Sequence, residues 1–204
     1  MTTEDPTNCH VYYVAGLNDL TRMDSDYHRS SRFHYEEVTF VESPDKAVQR
    51  LCDLVDHICQ HTLFLGAKPC FATIPPASLT LWNYHRLWNN ATTHLLHSDH
   101  YDDMQELLIQ SIERVNLYLN QVNESNQMIT PDLAGTVLDK RRGKAKRAYF
   151  CRLPDGVHPT PKLRTRWARQ IMRSIAINRS MNEPDYSDEP VPSASDMEDE
   201  FEEI

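Results

Sequence analysis

Two short runs of this 204-residue chain hold residue types that can do chemistry together. One is Gly16-Leu17-Asn18-Asp19 and the other is Asp155-Gly156-Val157-His158. A histidine three residues after an aspartate can be fixed in one tautomer by that carboxylate. Its other ring nitrogen is then free to take a proton as a general base. An asparagine amide can donate to the oxygen that gains charge when a carbonyl is attacked, the oxyanion-hole role. A nearby glycine lets backbone approach that oxygen closely. The bland alternative is that Asp155-Gly156 only bends the chain and that Asn18-Asp19 only caps the next segment.

Positioning these residues needs elements that end at the right places. Cys9 to Ala15 is a β-branched and aromatic run stopped by a glycine, and it reads as a buried strand. Tyr35 to Glu42 is a second strand candidate, and Pro69 to Ile74 a third that stops at Pro75-Pro76. Ala148 to Leu153 is a fourth and leads directly into Asp155. Between them lie helical patterns. One opens at Pro44 with Ala47, Val48, Leu51, Leu54, Val55 and Ile58 on one face. A longer one runs from Asp99 to about Val122, and a basic one from Pro161 to about Ile177. Alternating strands and helices predict an α/β domain, three-layered, with a mainly parallel sheet and helices on both faces. In such a sheet ligands bind beyond the carboxyl ends of the strands, where both runs are expected.

Gly-x-Asn-Asp followed by Asp-x-x-His resembles the third and fifth sequence blocks of the SGNH (GDSL-type) hydrolases. Phe71-Ala-Thr-Ile-Pro-Pro76, between them, is similar to that family's fourth strand and the turn that ends it. Trp167-Ala168 resembles the helix behind the last block. The resemblance covers Cys9 to about Ile177 and implies an ester hydrolase that uses no cofactor. It implies His158 as base, Asp155 as its partner, Asn18 as an oxyanion donor and Gly16 as the residue that shapes its loop. The family's Gly-Asp-Ser block and its second oxyanion glycine are not found in these 204 residues. The expected protein is therefore an SGNH-like scaffold, N-terminally incomplete and without a nucleophile. The rival expectation is an active esterase whose serine and glycine come from an upstream segment. By the same resemblance, strand 9–15 would lose a neighbour, so self-association through it is expected unless segment 35–42 covers it.

Charge is sharply partitioned. Residues 139–180 hold 13 Lys/Arg and 2 Asp/Glu, whereas residues 181–204 hold 10 Asp/Glu and no Lys/Arg. Lys140, Arg141, Arg142, Lys144, Lys146 and Arg147 fall within eight positions and are the candidate nucleic-acid contacts. The alternative for them is a solvated loop. The expected organisation is an extension over 1–8, the domain over 9–180 and a disordered acidic tail over 181–204.

No apolar run approaches the about 18–20 residues of a membrane span, and no leader pattern is visible. A cytoplasmic or nuclear protein with no membrane partner is expected. Five cysteines without a Cys-x-x-Cys pair read as reduced thiols, buried at Cys9, Cys70 and Cys151. His57/His61 and His94/His97/His100 have no evident further ligands, so no metal is expected.

Overall fold

The computed structural model describes residues 9–14, 16–26, 35–40, 42–88, 99–137 and 152–182. The chain forms β1 (His10–Tyr13), α1 (Leu17–Leu20), β2 (Thr21–Asp26) and β3 (Tyr35–Phe40). It continues with α2 (Pro44–Phe64), β4 (Lys68–Phe71), α3 (Leu79–Trp88), α4 (Asp99–Ser125) and α5 (Pro161–Asn182). The fold is mixed α/β, as expected. Two sheets are described, each of two strands. β1 and β4 run parallel, with Tyr13 opposite Phe71, and β2 and β3 run antiparallel.

The β1–β4 pair is the platform. Tyr13 and Phe71 stack at 5.1 Å on one face. They join the main core with Val48, Leu51 and Val55 of α2 and Leu108, Ile112, Val115 and Leu119 of α4. Tyr13 also hydrogen-bonds Thr62 of α2 at 2.7 Å. The adjacent positions turn the other way, as side chains alternate along a strand. The Tyr12 hydroxyl accepts from Asn178 of α5 at 2.9 Å, and Cys70 lies 3.8 Å from the same amide.

The far edge of β4 is closed without a strand. Pro69 offers no N–H there. The Phe71 N–H donates to Asn123 Oδ1 at 2.8 Å, and its carbonyl accepts from Asn123 Nδ2 at 2.7 Å. The Thr73 N–H donates to the Pro131 carbonyl at 3.1 Å. Asn116 repeats the two-pronged pairing on Ile74, at 2.6 and 2.8 Å. Gln105 bridges the Ala77 carbonyl and the Leu79 N–H. Three amides on one stripe of α4 thus satisfy the backbone that leaves β4, which ordinary sheet pairing would otherwise have to do.

Several expectations need correction. The strand expected over 35–42 does form, but it pairs with β2 and does not cover β1. The run 21–26, polar and without alternation, gave no strand signal and is β2. The strand expected over 148–153 lies outside the described residues up to Cys151, and Arg152 and Leu153 form a turn. The strand expected over 69–74 runs from Lys68 to Phe71. It stops where its partner does, with Tyr13 opposite Phe71 and the Ala72 N–H on the Tyr13 carbonyl. Cys9 is exposed rather than buried, while burial pushes the Cys70 thiol up to about 12. No helix among the described residues is long and apolar enough to cross a membrane.

Candidate functional site

The Asp155–His158 loop is built by its own aspartate. Asp155 Oδ1 accepts from the N–H of Val157 at 3.0 Å and of His158 at 2.7 Å. Its other oxygen, Oδ2, sits 2.5 Å from His158 Nδ1. Burial alone would raise this carboxyl. The ring and backbone hydrogen bonds from His158, with that from Val157, outweigh burial and hold it below the usual 3.8. An ionised carboxylate only accepts, so the Nδ1 proton points at Asp155 and Nε2 faces away from it. The His158 side chain is 78% exposed, so Nε2 is open to solvent or substrate.

Gly156 fastens this loop to the rest of the fold. Its carbonyl accepts from Ser78 N at 2.8 Å. Its φ is +85°, and a Cβ there would run into the Ser78 carbonyl and the Trp82 backbone. Only glycine fits both the dihedral and the space.

The Gly16 loop follows β1 in the same way. Gly16 has φ +126°, and a Cβ on it would collide with the Ile74 side chain. Leu17 and Leu20 turn into the core, and Arg50 donates to the Asp19 carbonyl at 3.0 Å. Asn18 lies on the outer side of α1 and is exposed. Its amide makes no hydrogen bond among the described residues.

Both loops therefore abut one run, the chain leaving the carboxyl end of β4. Gly16 meets Ile74, and Gly156 meets Ser78. Four residues of extended chain span about 13 Å, so the two contact points lie at most about that far apart. Gly16 and Gly156 are thus tied to the same short run, and no hydrogen bond joins Asn18 to His158. Beside the first loop lies a small, partly open apolar hollow, lined among others by Gly16, Asp19, Leu51, Phe71 and Ile74.

No hydroxyl is hydrogen-bonded to His158 among the described residues. Ser78 is the nearest approach through sequence-distant contacts, but it is buried and its Oγ accepts from Leu81 N at 3.2 Å, capping α3. This contact with the Asp155 loop was not foreseen. The only sequence signal for it was Ser78 standing just ahead of the apolar run that became α3. Nor were the three amides of α4 foreseen, although Asn116 and Asn123 sit seven apart beside the apolar stripe.

Lys140, Arg141, Arg142, Lys144, Lys146 and Arg147 fall outside the described residues. The residues that flank them are placed. Val137 and Leu153 pack with Leu163 of α5. Thr136 accepts from Trp167 Nε1 at 2.7 Å and from Arg152 at 2.6 Å. No cluster of three or more His, Cys, Asp or Glu able to hold a metal occurs among the described residues. No protein family, curated protein or solved structure matches the chain.

Proposed function

We propose that this chain is an SGNH-hydrolase-like protein of three-layer α/β type that keeps the base half of an ester-hydrolase site and has no nucleophile aimed at it. The observation that carries this reading is the Asp155–His158 pair, 2.5 Å apart, on a loop that packs against the same run leaving β4 as the Gly16 loop. In that reading Asp155 fixes the ring, Nε2 is the base, Asn18 donates to an oxyanion and Gly16 keeps its loop tight. A base without an acyl acceptor does not complete covalent ester hydrolysis. The scaffold is then used for binding.

A second reading is an acyl esterase completed by a serine and a glycine from another segment. It is favoured by the open Nε2 and by the apolar hollow that adjoins Gly16 and Asp19.

Hydrolysis of p-nitrophenyl acetate and butyrate by the purified chain tests the first reading. The expected rate equals the buffer rate and is the same for His158→Ala. Turnover that disappears in His158→Ala would overturn the nucleophile-free reading and reveal a nucleophile within the chain.

A further inference from the structure

We infer that the outer side of α5 is a binding face for the phosphate backbone of duplex nucleic acid. The inference does not depend on the ester-hydrolase reading.

α5 carries Lys162, Arg164, Arg166, Arg169, Arg173 and Arg179 over 22 residues and no acidic residue. Lys162, Arg166, Arg169 and Arg173 are spaced 4, 3 and 4 apart, so they share one strip along the helix. The strip is about 17 Å long at 1.5 Å per residue. All four are exposed. None makes an ion pair, with any carboxylate, among the described residues. Like charges at these spacings repel, so the strip costs the helix stability unless a partner neutralises it.

The helix that carries the strip is held rigidly. Leu163 and Trp167 pack against Val137 and Leu153, and Trp167 is bonded to Thr136. At the other end Asn178 holds both the N–H and the carbonyl of Ile129, at 2.6 and 3.2 Å. The cations are thus presented in fixed register on one side of a straight element. Three of the four are arginines, whose planar fork suits phosphate oxygens.

The absence of a stacking surface on this helix decides the form of the nucleic acid. Single strands are held by bases stacked on aromatic rings. Trp167, the one aromatic residue of α5, is turned inward and committed to Thr136. The strip offers charge and no stacking, which fits a duplex backbone and not a single strand. With no base-reading group on the strip, binding is independent of sequence. The chain's own acidic segment 183–204 is the competing occupant of complementary charge.

The test is fluorescence anisotropy of a labelled 24-base-pair DNA duplex with the full chain, over a salt series. The comparison is Arg166→Gln/Arg169→Gln/Arg173→Gln, which keeps good helix formers at exposed positions. The wild type is expected to bind at low salt, and the triple variant to bind at least about tenfold more weakly. The slope of log K against log salt should fall by about 2–3, as expected for three lost phosphate contacts. A single strand of equal length should bind more weakly than the duplex. No duplex binding by the wild type at low salt, or equal affinity and slope in the folded triple variant, would overturn the proposal. So would a peptide of residues 183–204 that binds the strip more tightly than the duplex does. Far-ultraviolet circular dichroism verifies that the variant retains its helices, and a double variant without Arg166→Gln repeats the comparison if it does not.

Discussion

α4 and α5 are fastened to the fold by the same device and differ in what they leave outside. Asn123 of α4 and Asn178 of α5 each hold the N–H and the carbonyl of one backbone residue, Phe71 and Ile129. On α4 the fork closes a buried strand edge. α4 carries six acids and one base, and its Arg114 and Tyr118 engage α2. Arg114 pairs with Asp45 at 2.5 Å, and Tyr118 donates to Asp56. On α5 the fork holds a partly open loop, and the outer charges are six bases and no acids. The lesson is that polar anchoring inside and charge outside are independent choices. One helix spends both on the fold. The other uses only the first, and its Lys162, Arg166, Arg169 and Arg173 make no ion pair among the described residues.

The largest effect should come from cutting the two forks. Asn123→Ala strips partners from two buried groups of Phe71, each worth about 1–3 kcal/mol when left unsatisfied. A loss of about 2–5 kcal/mol in urea unfolding is expected. Asn178→Ala should lose only about 1 kcal/mol, because Ile129 is 42% exposed and water can replace the amide. Equal losses would erase the difference drawn between the helices.

A smaller effect is expected at the catalytic-type loop. Asp155→Ala removes the acceptor of two backbone N–H groups and of the His158 ring. The expected cost is about 1 kcal/mol, as for a lost helix cap. The sign with pH follows from the depressed carboxyl. Its stabilisation is fully present above 3.8 and is lost as pH falls through the lower folded value. The gap between wild type and Asp155→Ala should therefore narrow as pH falls below 3.8. A gap unchanged from pH 7 to pH 3 would show that the carboxylate does not hold the loop.

The smallest effect concerns the strip on α5. Salt screens like-charge repulsion, and the Debye length falls from about 30 Å at 0.01 M to about 3 Å at 1 M. Three repelling pairs at about 0.2–0.5 kcal/mol each predict a gain of about 1 kcal/mol in stability on adding salt. The gain should vanish in the triple glutamine variant. A wild type destabilised by salt would mean that the attractive pairs of α2 and α4 dominate instead.

What the sequence conveyed, and what it did not, divides along physical lines. Strand β1 and helices α2, α4 and α5 were legible because apolar residues recur with strand or helix period over long enough runs. Asp155 and His158 were legible as a pair because three residues suffice to bring them together locally. β2 was not, since Thr21 to Asp26 has no alternation and its pairing with β3 is a contact between segments. The closure of β4 was invisible for the same reason. Asn116 and Asn123 read as ordinary polar residues until Phe71 and Ile74 are seen to lie against them. Helix α3 was hidden by the prolines before it and the histidine- and asparagine-rich run after it. Whether Asn18 faces His158 depends on two loops meeting, which no local pattern encodes.

That meeting is the central claim, and a distance measures it. Spin labels placed at Asn18→Cys and His158→Cys, with the native cysteines replaced, report the separation by double electron–electron resonance. Gly16 against Ile74, and Gly156 against Ser78, predict a single narrow distribution centred near about 20 Å or less, from the reach of four extended residues. A distribution centred beyond about 30 Å, the scale of a whole domain of this size, would separate the base from the oxyanion donor and contradict the account.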